Sequence, residues 1–194
     1  IGTQMIVKGH DYGNVTLVGV MLADLSLYAN DFRAGERTFD LLTQAAGRAG
    51  RGDKPGEVVI QTYQPEHYAI AAAARKDYRE FYDMEMTYRR MLHYPPVYDM
   101  LQVLLTGTQK TKVEEYADRL VKGLKDRTAT LGFTRTRIVG PSEAAISRIN
   151  EEYRYVIYVK APGLGAVCTL RDYIETCSCD GIAVAADINP MTIC

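Results

Sequence analysis

The spacing of apolar residues changes several times along this chain, and each change predicts an element. Val15, Leu17, Val18 and Val20 form a nearly continuous run, the pattern of a short strand buried on both faces of a parallel sheet. Asp24 follows closely, where open α/β sheets place ligand-contacting loops. From Asp31 to Gly52, DFRAGERTFDLLTQAAGRAGRG, the period becomes helical, with Asn30 or Asp31 as cap. At about 100° per residue, Phe39, Leu42, Ala45, Ala46 and Ala49 share one stripe, while Arg37, Gln44, Arg48 and Arg51 gather opposite. Gly52 to Gly56 reads as a turn and Glu57 to Gln61 as a second strand, completing a crossover of the kind that builds α/β layers. His67 to His93 reads as one helical stretch, with Tyr78, Phe81, Tyr82, Glu85, Met86 and Arg89 at helical spacing for packing against a neighbouring domain. Pro95 and Pro96 end it.

The second half alternates differently. Val97 to Thr106 reads as a strand, Thr111 to Leu131 as a helix and Ala144 to Ile149 with Tyr153 to Ala161 as a hairpin. Leu164 to Cys177 reads as a helix and Ile182 to Ile188 as a last strand. The order β, α, β, β, α, β is that of the split βαβ, or ferredoxin-like, fold. The expected fold class is therefore α/β over 1–93 followed by α+β over 94–194. Strand alternation sends Tyr153, Tyr155, Ile157 and Val159 one way and Arg154, Val156, Tyr158 and Lys160 the other. Helices on one face would leave the second face open, so Arg154, Tyr158 and Lys160, with Arg148 on the neighbouring strand, are candidates for a nucleic-acid surface. The plainer alternative is a solvated sheet face.

Composition narrows the functional classes. The chain has 194 residues, 47% hydrophobic and 24% charged, as in ordinary soluble proteins. No run of roughly 18 apolar residues suggests a membrane span, and no secretory leader is visible. The first residue already reads as mid-protein, so the chain is expected to be a fragment. Charge is balanced, 23 Lys and Arg against 24 Asp and Glu, so any nucleic-acid contact must be a local patch. Cys168, Cys177, Cys179 and Cys194 lack paired CxxC spacing, which argues against a zinc ribbon and for free thiols in a reducing cytoplasm. No metal ligands are assigned. Gly163 and Gly165 begin a dinucleotide fingerprint that lacks its third glycine, and no phosphate loop of the form GxxxxGK[ST] occurs.

The helix at 31–52 carries the chemistry. Two guanidiniums and a carboxamide on one face suit a planar, multiply charged ligand such as a nucleotide phosphate. Solvated cations stabilising a helix C-terminus are the alternative. The string QAAGRAGR resembles the QxxGRxGR motif of the second RecA-like lobe of superfamily 2 helicases, and GHD at Gly9 to Asp11 resembles its preceding motif. GTQMIVKGHD, DFRAGERTF, LLTQAAGRAGRG, YPP at 94–96, GPSEAAISRINEEYR at 140–154 and DINP at 187–190 together resemble the primosomal protein N-prime (PriA) family of replication-restart DNA helicases. The resemblance covers essentially the whole chain.

That resemblance implies part of a RecA-like lobe 2 followed by a C-terminal domain. It implies Arg51 as the finger aimed at the γ-phosphate, with Arg48 and Gln44 beside it; Gly47 at the nucleotide; Gly9 and Asp11 touching the nucleotide ribose or coupling the lobes; and Thr3 and Gln4 nearest the DNA backbone. Arg148, Arg154 and Lys160 are the expected DNA contacts of the C-terminal domain. ATP and magnesium would be bound only by the intact parent, whose zinc-binding cysteines lie outside this chain, and the fragment alone should be inactive as an ATP hydrolase. Implied partners are branched and single-stranded DNA, single-stranded-DNA-binding protein and primosome proteins, in the cytoplasm and without a membrane. A non-catalytic nucleic-acid-binding adaptor is the competing class, but it would have no use for Gln44, Arg48 and Arg51 on one face.

Overall fold

A computed structural model describes residues 15–50 and 55–193. It is a mixed α/β structure that divides into two compact units, Ile1–Tyr88 and Arg89–Cys194.

In the first unit, strands β1 (Leu17–Val20) and β2 (Glu57–Ile60) pair in parallel, Leu17 opposite Glu57 and Val20 opposite Ile60. Helix α1 (Ala34–Ala46) lies between them in sequence, as the crossover pattern requires. The expectation that β1 is buried on both faces fails. Leu17 and Gly19 are exposed and Val18 and Val20 half-buried, because among the described residues β1 has a single neighbouring strand. Helix α1 also starts later and stops earlier than expected. Asp31 acts before the first turn, accepting from Arg33 N (3.0 Å) and pairing with Arg37 (2.8 Å), and the helix ends at Ala46.

The helical stretch at 67–93 is two helices, α2 (Tyr68–Arg75) and α3 (Tyr78–Leu92). Lys76 takes a left-handed conformation (φ 56°) and closes α2; Asp77 then opens α3 by accepting from Glu80 N at 2.9 Å. Asp77-x-x-Glu80 is a helix-start signal that the high helix propensity on either side conceals. Phe81 packs within its own unit, stacking on Phe39 with ring centroids 4.2 Å apart. Leu42, Ala45, Ala69, Ile70, Ala72 and Ala73 are buried in the same unit. The small residues let α1 and α2 approach closely. At Gly35, in the DFRAGERTF string, a side chain would collide with the Tyr68 hydroxyl, which donates to buried Glu85 at 2.6 Å.

The second unit contains β3 (Asp99–Gly107), α4 (Lys110–Thr130), β4 (Arg137–Ile149), β5 (Glu152–Ala161), α5 (Leu164–Thr176) and β6 (Ile182–Ile188). Its antiparallel sheet runs β4–β5–β3–β6. Leu101, Val103 and Leu105 of β3 and Tyr155, Ile157 and Val159 of β5 meet the helices on one face. Helix α4 supplies Val113, Tyr116, Ala117, Leu120, Val121 and Leu124, spaced three and four apart, and α5 supplies Val167, Leu170 and Ile174. Strand β4 begins seven residues before the expected Ala144. Gly140-Pro141 reads as a breaker, but an edge strand tolerates it through register shifts between Val139 and Ser142 and between Glu143 and Arg148.

The second sheet face is not open along its whole length. Met100, Gln102, Val156 and Lys160 are all buried there. The Lys160 ammonium donates to the Leu92 carbonyl (3.1 Å) and lies 3.4 Å from the Tyr94 ring centroid, so the chain leading into β3 covers that end.

The stacked Phe39–Phe81 pair makes one outcome specific. Phe81→Ala should lower the stability of the first unit by about 3 kcal/mol, measured by denaturant unfolding followed at that unit's transition. A loss of about 0.5 kcal/mol, the size of a surface substitution, would contradict the packing.

Candidate nucleotide and nucleic-acid site

The residues expected at the nucleotide fall into two groups. Thr3, Gln4, Gly9, Asp11 and Arg51 lie outside the described residues. Gln44 is exposed in the last turn of α1, and Gly47 closes the helix, its N–H donating to Thr43 O at 3.0 Å. Arg48 is half-buried in the following turn, where its N–H donates to Ala45 O (3.1 Å). The helical alignment expected for Gln44, Arg48 and Arg51 therefore extends only as far as Ala46.

The glycines explain the early end. Gly50 has φ 73°, favourable to glycine, and its N–H donates to Val15 O at 2.9 Å, bringing the turn to the start of β1. A side chain on Gly56 would run into Ala49 and the Gly50 nitrogen. AGRAG is thus a tight turn pressed against the chain that enters β2, which presents Arg48 at the end of the crossover helix.

Asp24 does not reach toward a ligand. It is buried, and its carboxylate accepts from Thr62 Oγ1 (2.7 Å), Tyr63 N (3.0 Å) and Gln64 N (3.2 Å). Burial opposes its ionisation, but these donors outweigh burial and hold the carboxyl below its ordinary value of 3.8. The carboxylate fixes the chain leaving β2. Nearby, His67 opens α2 by accepting from Ala69 N through Nδ1 (3.3 Å); burial lowers its pKa against the opposing pull of Glu85 and Asp24.

In the second unit the expected nucleic-acid residues are not equivalent. Arg148 is exposed on the β4–β5 hairpin, paired with Glu151 at 2.8 Å and lying over the Tyr153 ring at 5.1 Å. Arg154 donates to Ile146 O at 3.0 Å. Because Arg148 is opposite Tyr153 in the register, it takes the sheet face opposite to that of Arg154 and Lys160, so the single surface expected of these three residues is not formed. Lys160, expected to be exposed, is 9% exposed, and burial together with the neighbouring Arg137 lowers its pKa to about 8. One anchor went unnoticed in the sequence. Asn189 of DINP, at φ 51°, bonds Met100 through its N–H and Oδ1 (2.7 and 2.8 Å) and donates to Asp99 Oδ1 (2.8 Å), pinning the start of β3. Asparagine's tolerance of the left-handed region was the available signal. Cys168, Cys177 and Cys179 are free, and Cys194 lies outside the described residues. Among the described residues no group of His, Cys, Asp and Glu is arranged to hold a metal, and no helix is long and apolar enough to cross a membrane.

Residues 90–191 match the primosomal protein N C-terminal domain family, over more than half of the chain. The chain belongs to that family. It is 43% identical, over 98% of its length, to the replication restart protein PriA of Bacillus subtilis (strain 168), covering 24% of that protein. Against the replication restart protein PriA of Synechocystis it is 37% identical over its full length, and against that of Treponema pallidum 32%, covering 23% and 29% of those proteins. The chain spans about a quarter of the length of these PriA relatives, and the similarity runs through both units.

The Asp24 cluster carries a signed pH dependence. Its pKa is depressed on folding, so its stabilisation is complete above 3.8 and is lost as pH falls through the folded value. Asp24→Asn should lower the thermal midpoint of the first unit by roughly 5 °C at neutral pH, with the gap closing on acidification. A gap that stays constant as the solution is acidified would contradict the assignment.

Proposed function

We propose that this chain is part of an ATP-dependent DNA helicase for replication restart: the end of a RecA-like lobe 2, residues 1–93, joined to a ferredoxin-like C-terminal domain, residues 94–194. The observation that carries the reading is the similarity to PriA proteins along both units, together with the position of Arg48 in a tight turn at the end of a parallel crossover. The β4–β5–β3–β6 order with two helices on one face supports the ferredoxin-like assignment.

In this reading Arg51 is the finger that stabilises charge on the transferring phosphoryl group, with Arg48 and Gln44 beside it and Gly9, Asp11 and Gly47 at the nucleotide. An arginine on a separate lobe makes hydrolysis depend on closure of the cleft. The phosphate loop, magnesium site and zinc cysteines belong to the remainder of the parent, so ATP and magnesium are bound there. Thr3 and Gln4 lie nearest the DNA backbone. Exposed Arg148 at the β4–β5 hairpin and half-buried Arg154, on the other face of β5, give the C-terminal domain modest affinity for branched or single-stranded DNA, since each already has a protein partner to exchange. Single-stranded-DNA-binding protein and primosome proteins are the partners in the cytoplasm.

Arg51→Ala in the full-length parent should reduce DNA-stimulated ATP hydrolysis roughly 10³-fold while ATP binding changes little, because the finger acts on the transition state. Turnover at the wild-type rate would remove Arg51 from this role. For the nucleic-acid surface, replacing Arg148 and Arg154 by Ala should make the slope of log K against log salt shallower by roughly 1.5 for a single-stranded oligonucleotide. An unchanged slope in fluorescence anisotropy would leave these arginines as ordinary surface residues.

A further inference from the structure

Strands β4 and β5 place Arg137 directly opposite Lys160. Opposed side chains of an antiparallel pair stand on the same face a few ångströms apart, and like charges in that position are destabilising. A third group of the same kind joins them. His93 stands between Leu92, whose carbonyl accepts from the Lys160 ammonium, and Tyr94, whose ring lies against that ammonium; burial, and then Arg137 and Lys160, disfavour its protonation, as burial and Arg137 disfavour that of Lys160. His93 sits at the C-terminal end of α3 with φ 56°, where glycine would be unstrained, and its ring meets Tyr98 edge-on at 4.5 Å.

Among the described residues no carboxylate forms an ion pair with His93, Arg137 or Lys160. The charged or titratable neighbours on the same face are Arg154 and Tyr158 along β5 and Asp187 on β6, separated from Tyr158 by Gln102 of β3. Asp99 belongs to the other face and is held by Asn189. The Leu92 carbonyl and the Tyr94 ring compensate Lys160, and a helix C-terminus contributes about half a negative charge. Exposed Arg137 remains in excess.

We propose that His93, Arg137 and Lys160 form a seat for a phosphate group, with buried Lys160 as its base and Arg137 and His93 as the ligating edge. A phosphate dianion or phosphodiester would turn the mutual repulsion into attraction, and Arg137 offers the planar fork that suits its oxygens. This site is separate from the Arg148–Arg154 surface and does not require that reading; the phosphate is either free or part of a nucleic-acid backbone.

The test is an NMR titration of the His93 imidazole in the full chain with inorganic phosphate, against sodium chloride at equal ionic strength. Phosphate should raise the His93 pKa saturably in the wild type. Arg137→Gln, an exposed substitution that leaves the sheet intact, should weaken the apparent phosphate affinity roughly tenfold, the effect of one charge-assisted hydrogen bond. A chloride response equal to the phosphate response, or an Arg137→Gln titration superimposable on the wild type, would overturn the proposal. A parallel titration with a single-stranded oligonucleotide identifies the source. Displacement of phosphate assigns the seat to the nucleic-acid backbone, and additive binding assigns it to free phosphate. Loss of oligonucleotide binding in the Arg148/Arg154 variant with the phosphate response retained would separate the two sites.

Discussion

Strand β3 is the constraint on which the C-terminal unit depends. It is paired along both edges, with β5 from Asp99 to Gly107 and with β6 from Leu101 to Gly107, and Asn189 secures its first residues. Antiparallel pairing leaves no choice of face once this register is set. Leu101, Val103 and Leu105 must meet the helices, Met100 and Gln102 must turn the other way, and β5 must follow with Arg154, Tyr158 and Lys160 beside them. The same register then puts Arg137 opposite Lys160. The cationic crowding near His93 is therefore a consequence of pairing a central strand whose helix-facing residues Leu101, Val103 and Leu105 are apolar and buried.

Regular period was legible in the sequence; contacts between distant segments were not. The apolar stripe of α4 and the alternation of β5 stand out because each residue's surroundings repeat with the element's own geometry. The break between α2 and α3 was hidden because a single left-handed residue, Lys76, interrupts two segments of high helix propensity. The early part of β4 was hidden by Gly140-Pro141, which local rules read as a stop and an edge strand absorbs. The burial of Lys160 has a different origin. Its exposure depends on Leu92 and Tyr94, more than sixty residues away in sequence, and alternation says only which face a side chain takes, not what covers that face.

The candidate nucleotide site was legible mainly as a motif. Glycines, arginines and glutamine in QAAGRAGR resemble a helicase string, which lies ahead of the residues that match the C-terminal domain family. The structure adds the local reason for the glycines: Gly50 and Gly56 allow a turn to press against the entry to β2, with Arg48 carried on it. The turn alone accounts for Gly50 and Gly56, so the presence of Gly50 in the motif is explained by folding. Asp24 shows the same. Its position after β1 suggested a ligand contact, but three donors from residues 62–64 claim its carboxylate.

The covered end of the C-terminal sheet distinguishes this account from one based on alternation alone, and Lys160 reports on it directly. A pH titration of the Lys160 ε-amine by heteronuclear NMR in the full chain should give a pKa of about 8, with contacts from the amine to the Tyr94 ring. An ordinary value near 10.5 without those contacts would show a solvated lysine on an open sheet face and would contradict the arrangement described.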